Sequence, residues 1–408
     1  MTDLTKSHKE SPTGVGSAGE VFMAFLKLGL TSFGGPIAHL GYFRDELVER
    51  RKWIDEKGYA DLLALTQFLP GPASSQMGFA LGLLRGGPLG AFAAWAAFTL
   101  PSAILLTLFA FGAAAFDGPM GSGIIVGLKI AAVAIVAQAV WGMARNLCPD
   151  RERATIALAA ALIVVLVPDL LAQVAAISIG AAAGLLFCRS DHEAVDSHIA
   201  FPVSRTVGVA SLALFFVLLF GLPIATVASS SQGLAVFDSF YRAGSLVFGG
   251  GHVVLPLLET EVVRNGWVNQ DQFLAGYGAT QAVPGPLFTF AAYLGAVLGP
   301  EPNGLAGAGI ALIAIFLPGF LILLGVIPFW DSFRKRESAQ ASMRGANAAV
   351  VGILGAALYD PVFTGGITGP YAFALALTCF VLLMAWKAPP WIVVLVAAAG
   401  GIVIGLAR

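Results

Sequence analysis

The chain has 408 residues, 57% hydrophobic and 12% charged, with a net charge of −1. Soluble domains carry about a quarter charged residues, so half that share excludes a water-soluble fold and makes lipid the solvent. The near-zero charge gives no reason to expect a nucleic-acid partner, and no phosphate-binding loop, paired carboxylates or metal-ligand spacing marks an enzyme or metal centre.

Residues 1–18 are polar, carry Lys6, His8 and Lys9, and precede no cleavable apolar core. They read as a disordered cytoplasmic tail. Residues 19–188 form a first repeat. It opens with an apolar run holding Lys27 in "FLKLGL", then breaks at "FGGPIAHLGYFR" (33–44), which contains Gly34, Gly35, Pro36 and His39. A basic segment, 44–57, and Asp61 precede a second break, "TQFLPGPASSQ" (66–76), with Ser74, Ser75 and Gln76. A membrane-length run at 88–116 and a segment holding Lys129 follow. Cys148, Cys188 and Cys379 are isolated and read as packing residues. Residues 189–234 comprise a polar cytoplasmic loop and a linking transmembrane helix.

Residues 235–408 repeat the first unit. "FMAFLKLGLTSFGG" (22–35) pairs with "FDSFYRAGSLVFGG" (237–250), and "TQFLPGPASSQ" with "TQAVPGPLFTF" (280–290). Trp53 pairs with Trp267, and "FTLPSAILL" (98–106) with "IFLPGFLIL" (315–323). Four matches in register establish an internal duplication. Segment 44–57 carries five Lys or Arg, whereas its counterpart 259–272 carries only Arg264. Short basic loops stay in the cytoplasm, so the counterparts are expected on opposite sides, and the repeats inverted. The basic 189–205 loop is then inside, and the segments 229–235 and 299–304, without Lys or Arg, outside.

The expected fold is therefore an all-α polytopic membrane protein. Two inverted-topology repeats bring broken or re-entrant helices together near the membrane midplane. Two arrangements of the breaks fit. If 20–42 and 59–83 each enter and return, every loop falls where its charge predicts; thirteen simple spans also invert the halves.

A broken helix inside a bilayer survives only where protein or a watery cavity covers its free backbone groups. The helix that restarts presents unpaired N–H groups and a partial positive charge. Four such starts near the midplane would bind an anion without a full charge, with Gly34, Gly35, Gly249, Gly250, Ser74, Ser75, Gln76 and Thr289 supplying donors. Lys27 and Arg242 occupy equivalent positions, each six residues before the Phe of a Phe-Gly-Gly break. They read either as a pair of cations countering a dianion or as side chains snorkelling to an interface. Lys129, whose equivalent is Asn347, and the non-equivalent His39 and His252 are candidates for the pathway or its coupling, against simple packing. Asp61 reads as a coupling group or as the partner of a loop arginine. Glu259 and Glu261 are expected in a solvated outer segment with no role.

"FGGPIAHLGYFR", "LPGPASSQMGFALG", "FTLPSA", "FGGGHVVLPLLE" and "VPGPLFTFAAYLGA" resemble the signature segments of the chromate ion transporter family, in its long two-domain form. The likeness spans the chain apart from the tail and the central loop. It implies a multi-pass carrier of the bacterial inner membrane that exports chromate, gives chromate resistance, draws on the proton motive force, and has sulfate as a related oxyanion. No cofactor is implied. A sulfate or other small-anion permease and an anion channel stay open as alternatives. So does the oligomeric state, with a homodimer among the options.

Overall fold

A computed structural model describes residues 16–113, 118–167, 170–189, 201–334 and 336–406. The tail at 1–15 and most of the 189–205 loop lie outside these residues. Helices account for the described secondary structure, without a strand among the described residues.

The first half begins with α1 (Ala18–Thr31), started by Ser17, whose hydroxyl accepts the Glu20 N–H at 3.1 Å. A three-residue gap precedes α2 (Gly35–Phe43), which runs on through a π-helical turn, Arg44–Arg50. Next come α3 (Glu56–Phe68), capped by the Asp55 carboxylate, and α4 (Ala73–Ala113). The chain reverses inside α4 at Gly86–Gly87, where the backbone leaves the helical conformation, and this brings Gly82 against Gly90 and Ala94. The half closes with α5 (Pro119–Leu147), α6 (Arg151–Leu166) and α7 (Leu170–Phe187). The linking helix α8 (Arg205–Ser229) is the least buried of the five helical stretches long and apolar enough to cross a membrane.

The second half retraces these steps. It consists of α9 (Gln232–Ser245), α10 (Val254–Leu258) with a π-helical turn at Glu259–Val263, and α11 (Gln270–Thr280), capped by Asn269 as α3 is by Asp55. Then follow α12 (Phe290–Val297), α13 (Gly304–Val326), α14 (Trp330–Arg334), α15 (Glu337–Ala357), α16 (Thr364–Gly366), α17 (Pro370–Met384) and α18 (Pro390–Leu406).

The halves interlock by exchange. The long helix α5 packs against α18 and α17 of the second half, and its equivalent α15 packs against α7 and α6 of the first. Glycines permit the approach: a Cβ on Gly127 would overlap the Ala397 carbonyl, and one on Gly345 the Gly180 carbonyl. Lipid tails give helices no hydrophobic reason to associate, so close van der Waals contact at small residues is what holds such pairs. Tyr241, Tyr277, Tyr293 and a set of phenylalanines fill the buried centre.

One expectation is corrected. Glu259 and Glu261 are buried rather than solvated, with Glu261 only 3% exposed. The π-helical turn rotates them inward, toward Arg264 and Arg242 respectively.

Candidate functional site

The four sequence breaks fall between helices and tie the halves together. The Gly71 N–H of the first Pro-Gly-Pro donates to the Val247 carbonyl at 2.7 Å, just before the second Phe-Gly-Gly. At the equivalent place the Gly285 N–H donates to the Ser32 carbonyl at 2.9 Å. Gly71 (φ 117°) and Gly285 (φ 103°) both require glycine, because the backbone is left-handed there. Each break thus satisfies a donor of one half with an acceptor of the other, as irregular backbone in an apolar setting demands.

A cavity of about 440 Å³ opens at this junction. Gly34, Pro36 and Leu40 of the first break and the start of α2 form one wall. Thr66, Gln67, Leu69, Gly71 and Ala73, from the end of α3 to the start of α4, form a second. Gly249, Gly250, Gly251 and His252 close a third, while Gln138, Met143 and Asn146 of α5 and Asn347 of α15 complete it. The volume holds a small tetrahedral anion with several waters, at about 30 Å³ per water.

Among the described residues, the lining contains no Lys, Arg, Asp or Glu, and His252 is its one ionisable side chain. No charged group among the described residues of the wall repels a dianion. The starts of α2 and α4 and the amides Gln67, Gln138 and Asn146 offer neutral donors. His252 Nδ1 lies 2.7 Å from the Tyr277 hydroxyl, and its Nε2 is the atom nearest to where a Cβ on Gly35 would stand.

Of the residues singled out in the sequence, Gly34, Gly249, Gly250 and His252 line this cavity, and Gly35 adjoins it. The others stand elsewhere. Ser74 Oγ lies 3.4 Å from His39 Nδ1, and both residues are buried. Gln76 Nε2 donates to the Pro70 and Gly319 carbonyls, each at 2.9 Å, bracing the first Pro-Gly-Pro. Thr289 Oγ1 donates to the Pro286 carbonyl at 2.7 Å. Ser75 Oγ is buried without a hydrogen-bond partner and lies outside the lining. Asp61 pairs with Arg334 at 2.9 Å and accepts from Trp330 Nε1 at 3.1 Å. Lys129 pairs with Asp271 at 2.6 Å.

Lys27 and Arg242 each have a carboxylate partner nineteen residues on, in the π-helical turn of the same half. Lys27 Nζ meets Glu46 at 2.7 Å, and Arg242 meets Glu261 through two bonds at 2.8 and 3.1 Å. Glu46 also accepts from Arg50 and Arg51, and Arg242 also donates to Asp238. Burial opposes ionisation of Glu46, but hydrogen bonds from Lys27, Arg51 and Arg50 prevail and hold its carboxyl at about 2. Neither cation lines the cavity. The pair is a repeated brace between the first helix of each half and its returning turn.

Sequence reasoning passed over Gln67, Gln138 and Asn146, and the acids Glu46 and Glu261. Two signals could have found some of them. Thr-Gln precedes both Pro-Gly-Pro motifs, and the cation-to-acid spacing of nineteen recurs in both halves.

An all-helical membrane protein whose two halves bring interrupted helices to one donor-lined cavity is built as a solute transporter. Residues 19–187 and 234–402 each match the chromate transporter family, and the chain belongs to it. It is 30% identical to a chromate transport protein of Pseudomonas aeruginosa, over 93% of this chain and 90% of that one. A chromate transport protein of Cupriavidus metallidurans is 28% identical over 95% and 92%. An uncharacterized transporter of Methanocaldococcus jannaschii is 29% identical over 87% of each. No solved structure matches the chain.

Proposed function

We propose that the protein is a secondary carrier of the bacterial inner membrane that exports chromate and so gives chromate resistance. One observation carries the reading: the cavity where breaks of both halves meet has neutral donors and, among the described residues, no carboxylate in its wall. Chromate is a tetrahedral dianion isosteric with sulfate, and helix starts with amide donors suit both. The relatives named chromate transport proteins favour chromate as the cargo.

The halves have inverted topology on this reading, with α1–α2 and α3 to the middle of α4 entering the membrane and returning. The cavity follows the second half of α5 to Asn146 and Leu147, beside the basic 145–153 segment. By the charge rule that end is cytoplasmic, so the site faces the cytoplasm, where an exporter loads. In a cysteine-free background, cysteines at 55 and 269 should react with an impermeant thiol reagent from opposite faces. Labelling of both from one face would sink the inversion.

Labelled chromate flux in reconstituted vesicles tests the function itself. Flux should saturate, respond to an imposed pH gradient, and fall with competing sulfate. Non-saturating flux would make the protein a channel, and sulfate flux without chromate flux a sulfate permease.

A further inference from the structure

The two halves are equivalent in sequence but not in contact. In the second half, α11 packs along α5 so closely that a Cβ on Gly278 would overlap the Leu128 carbonyl. Beside this contact Lys129 Nζ meets Asp271 Oδ1 at 2.6 Å. The equivalent pair in the first half is α3 with α15, where Ala64 corresponds to Gly278, Ala346 to Leu128 and Asn347 to Lys129. That pair makes no comparable contact, and the cavity lies between its members. Burial follows the same division. Gln281 and Gly278 are buried, whereas the equivalent Gln67 and Ala64 are exposed.

A single helix records both conditions. The first half of α5 is gripped at Leu128 and Lys129, and its second half lines the open cavity from Gln138 onward. Lys129 and Gly142 stand about 20 Å apart along that helix, at about 1.5 Å per residue.

The latch positions are complementary in both halves. Lys129 and Asp271 form an ion pair; their equivalents are Asn347 and Lys57. Asn347 Oδ1 is buried with no hydrogen-bond partner among the described residues, and Lys57 is exposed. A buried acceptor without a donor is costly, and the residue equivalent to Asp271 is a donor.

We propose that a second anion cavity, facing the opposite side, is latent behind the α5–α11 contact, with Lys129 in its wall. Opening it breaks the Lys129–Asp271 latch, while α3 closes on α15 and Lys57 donates to Asn347 Oδ1. The ligand is the same tetrahedral oxyanion, so the proposal rests on the carrier reading above. The latches differ in kind: an ion pair holds the present state, and a single charge-to-amide hydrogen bond holds the other.

The test is disulfide formation between Ala64→Cys and Ala346→Cys in a cysteine-free protein in vesicles. The pair should cross-link on oxidation, stop chromate flux, and release it on reduction. Asp271→Asn, at the exposed end of the outer latch, should speed cross-linking at least threefold, and Asn347→Ala should slow it at least threefold. A pair that never cross-links in a protein that still transports would overturn the second state. Cross-linking rates that ignore both latch variants would overturn the latches. Cross-linking is read on a gel, whatever anion is carried, so failure of the chromate reading shows separately as absent flux before oxidation.

Discussion

Glu261→Gln should lower stability by about 3–5 kcal/mol, the usual loss when one partner of a buried ion pair is removed. Glu261 is 3% exposed and takes two hydrogen bonds from Arg242. Removing its charge leaves Asp238 as the one remaining carboxylate on that guanidinium among the described residues. Arg242→Met should cost about as much, by stranding Glu261 and Asp238 in apolar surroundings. The double variant Arg242→Met/Glu261→Gln should recover part of the loss, because both ends of the bidentate contact go together. Thermal unfolding in detergent, at matched purity, measures all three. In the first half Lys27 is about half exposed, so Lys27→Met should cost no more than about 1 kcal/mol. The rival reading, in which these cations counter the anion directly, expects stable variants that have lost chromate affinity. Arg242→Met with wild-type stability and no chromate binding would overturn the brace.

The second large effect concerns the cavity wall. Gln67→Leu keeps most of the side-chain volume and removes a donor that faces the site. A hydrogen bond to a charged group contributes about 1.5–3 kcal/mol, so chromate should bind roughly 10- to 150-fold more weakly. Gln67→Glu should abolish binding at neutral pH, since a carboxylate would face a dianion across a few ångströms. Gln67 is exposed, so neither variant disturbs the core, and both should reach the membrane at wild-type levels. Equilibrium binding of labelled chromate to purified protein provides the measurement. Unchanged affinity in Gln67→Leu would move the site off the end of α3.

The sequence alone determined that lipid is the solvent, that the chain is a duplication, and where its helices break. These are local properties. A helix in a bilayer satisfies its own hydrogen bonds, so apolar length marks it, and Phe-Gly-Gly and Pro-Gly-Pro mark where that satisfaction stops. The family was legible for the same reason, because its signatures are those breaks. Gly34, Gly249 and Gly250, which sit in those breaks, also line the cavity.

Tertiary structure decided the rest. Lys27 and Arg242 looked like ligands because a cation in an apolar run has no visible partner; Glu46 and Glu261 reach them only through a π-helical turn. Gln67 and Gln281 are indistinguishable in sequence, yet one faces a cavity and the other is buried. A duplicated sequence describes both arrangements of its two halves almost equally. Which pair of equivalent helices packs together is decided by partners the sequence does not reveal: Lys129 of α5 meets Asp271 of α11, whereas the equivalent Asn347 lines the cavity.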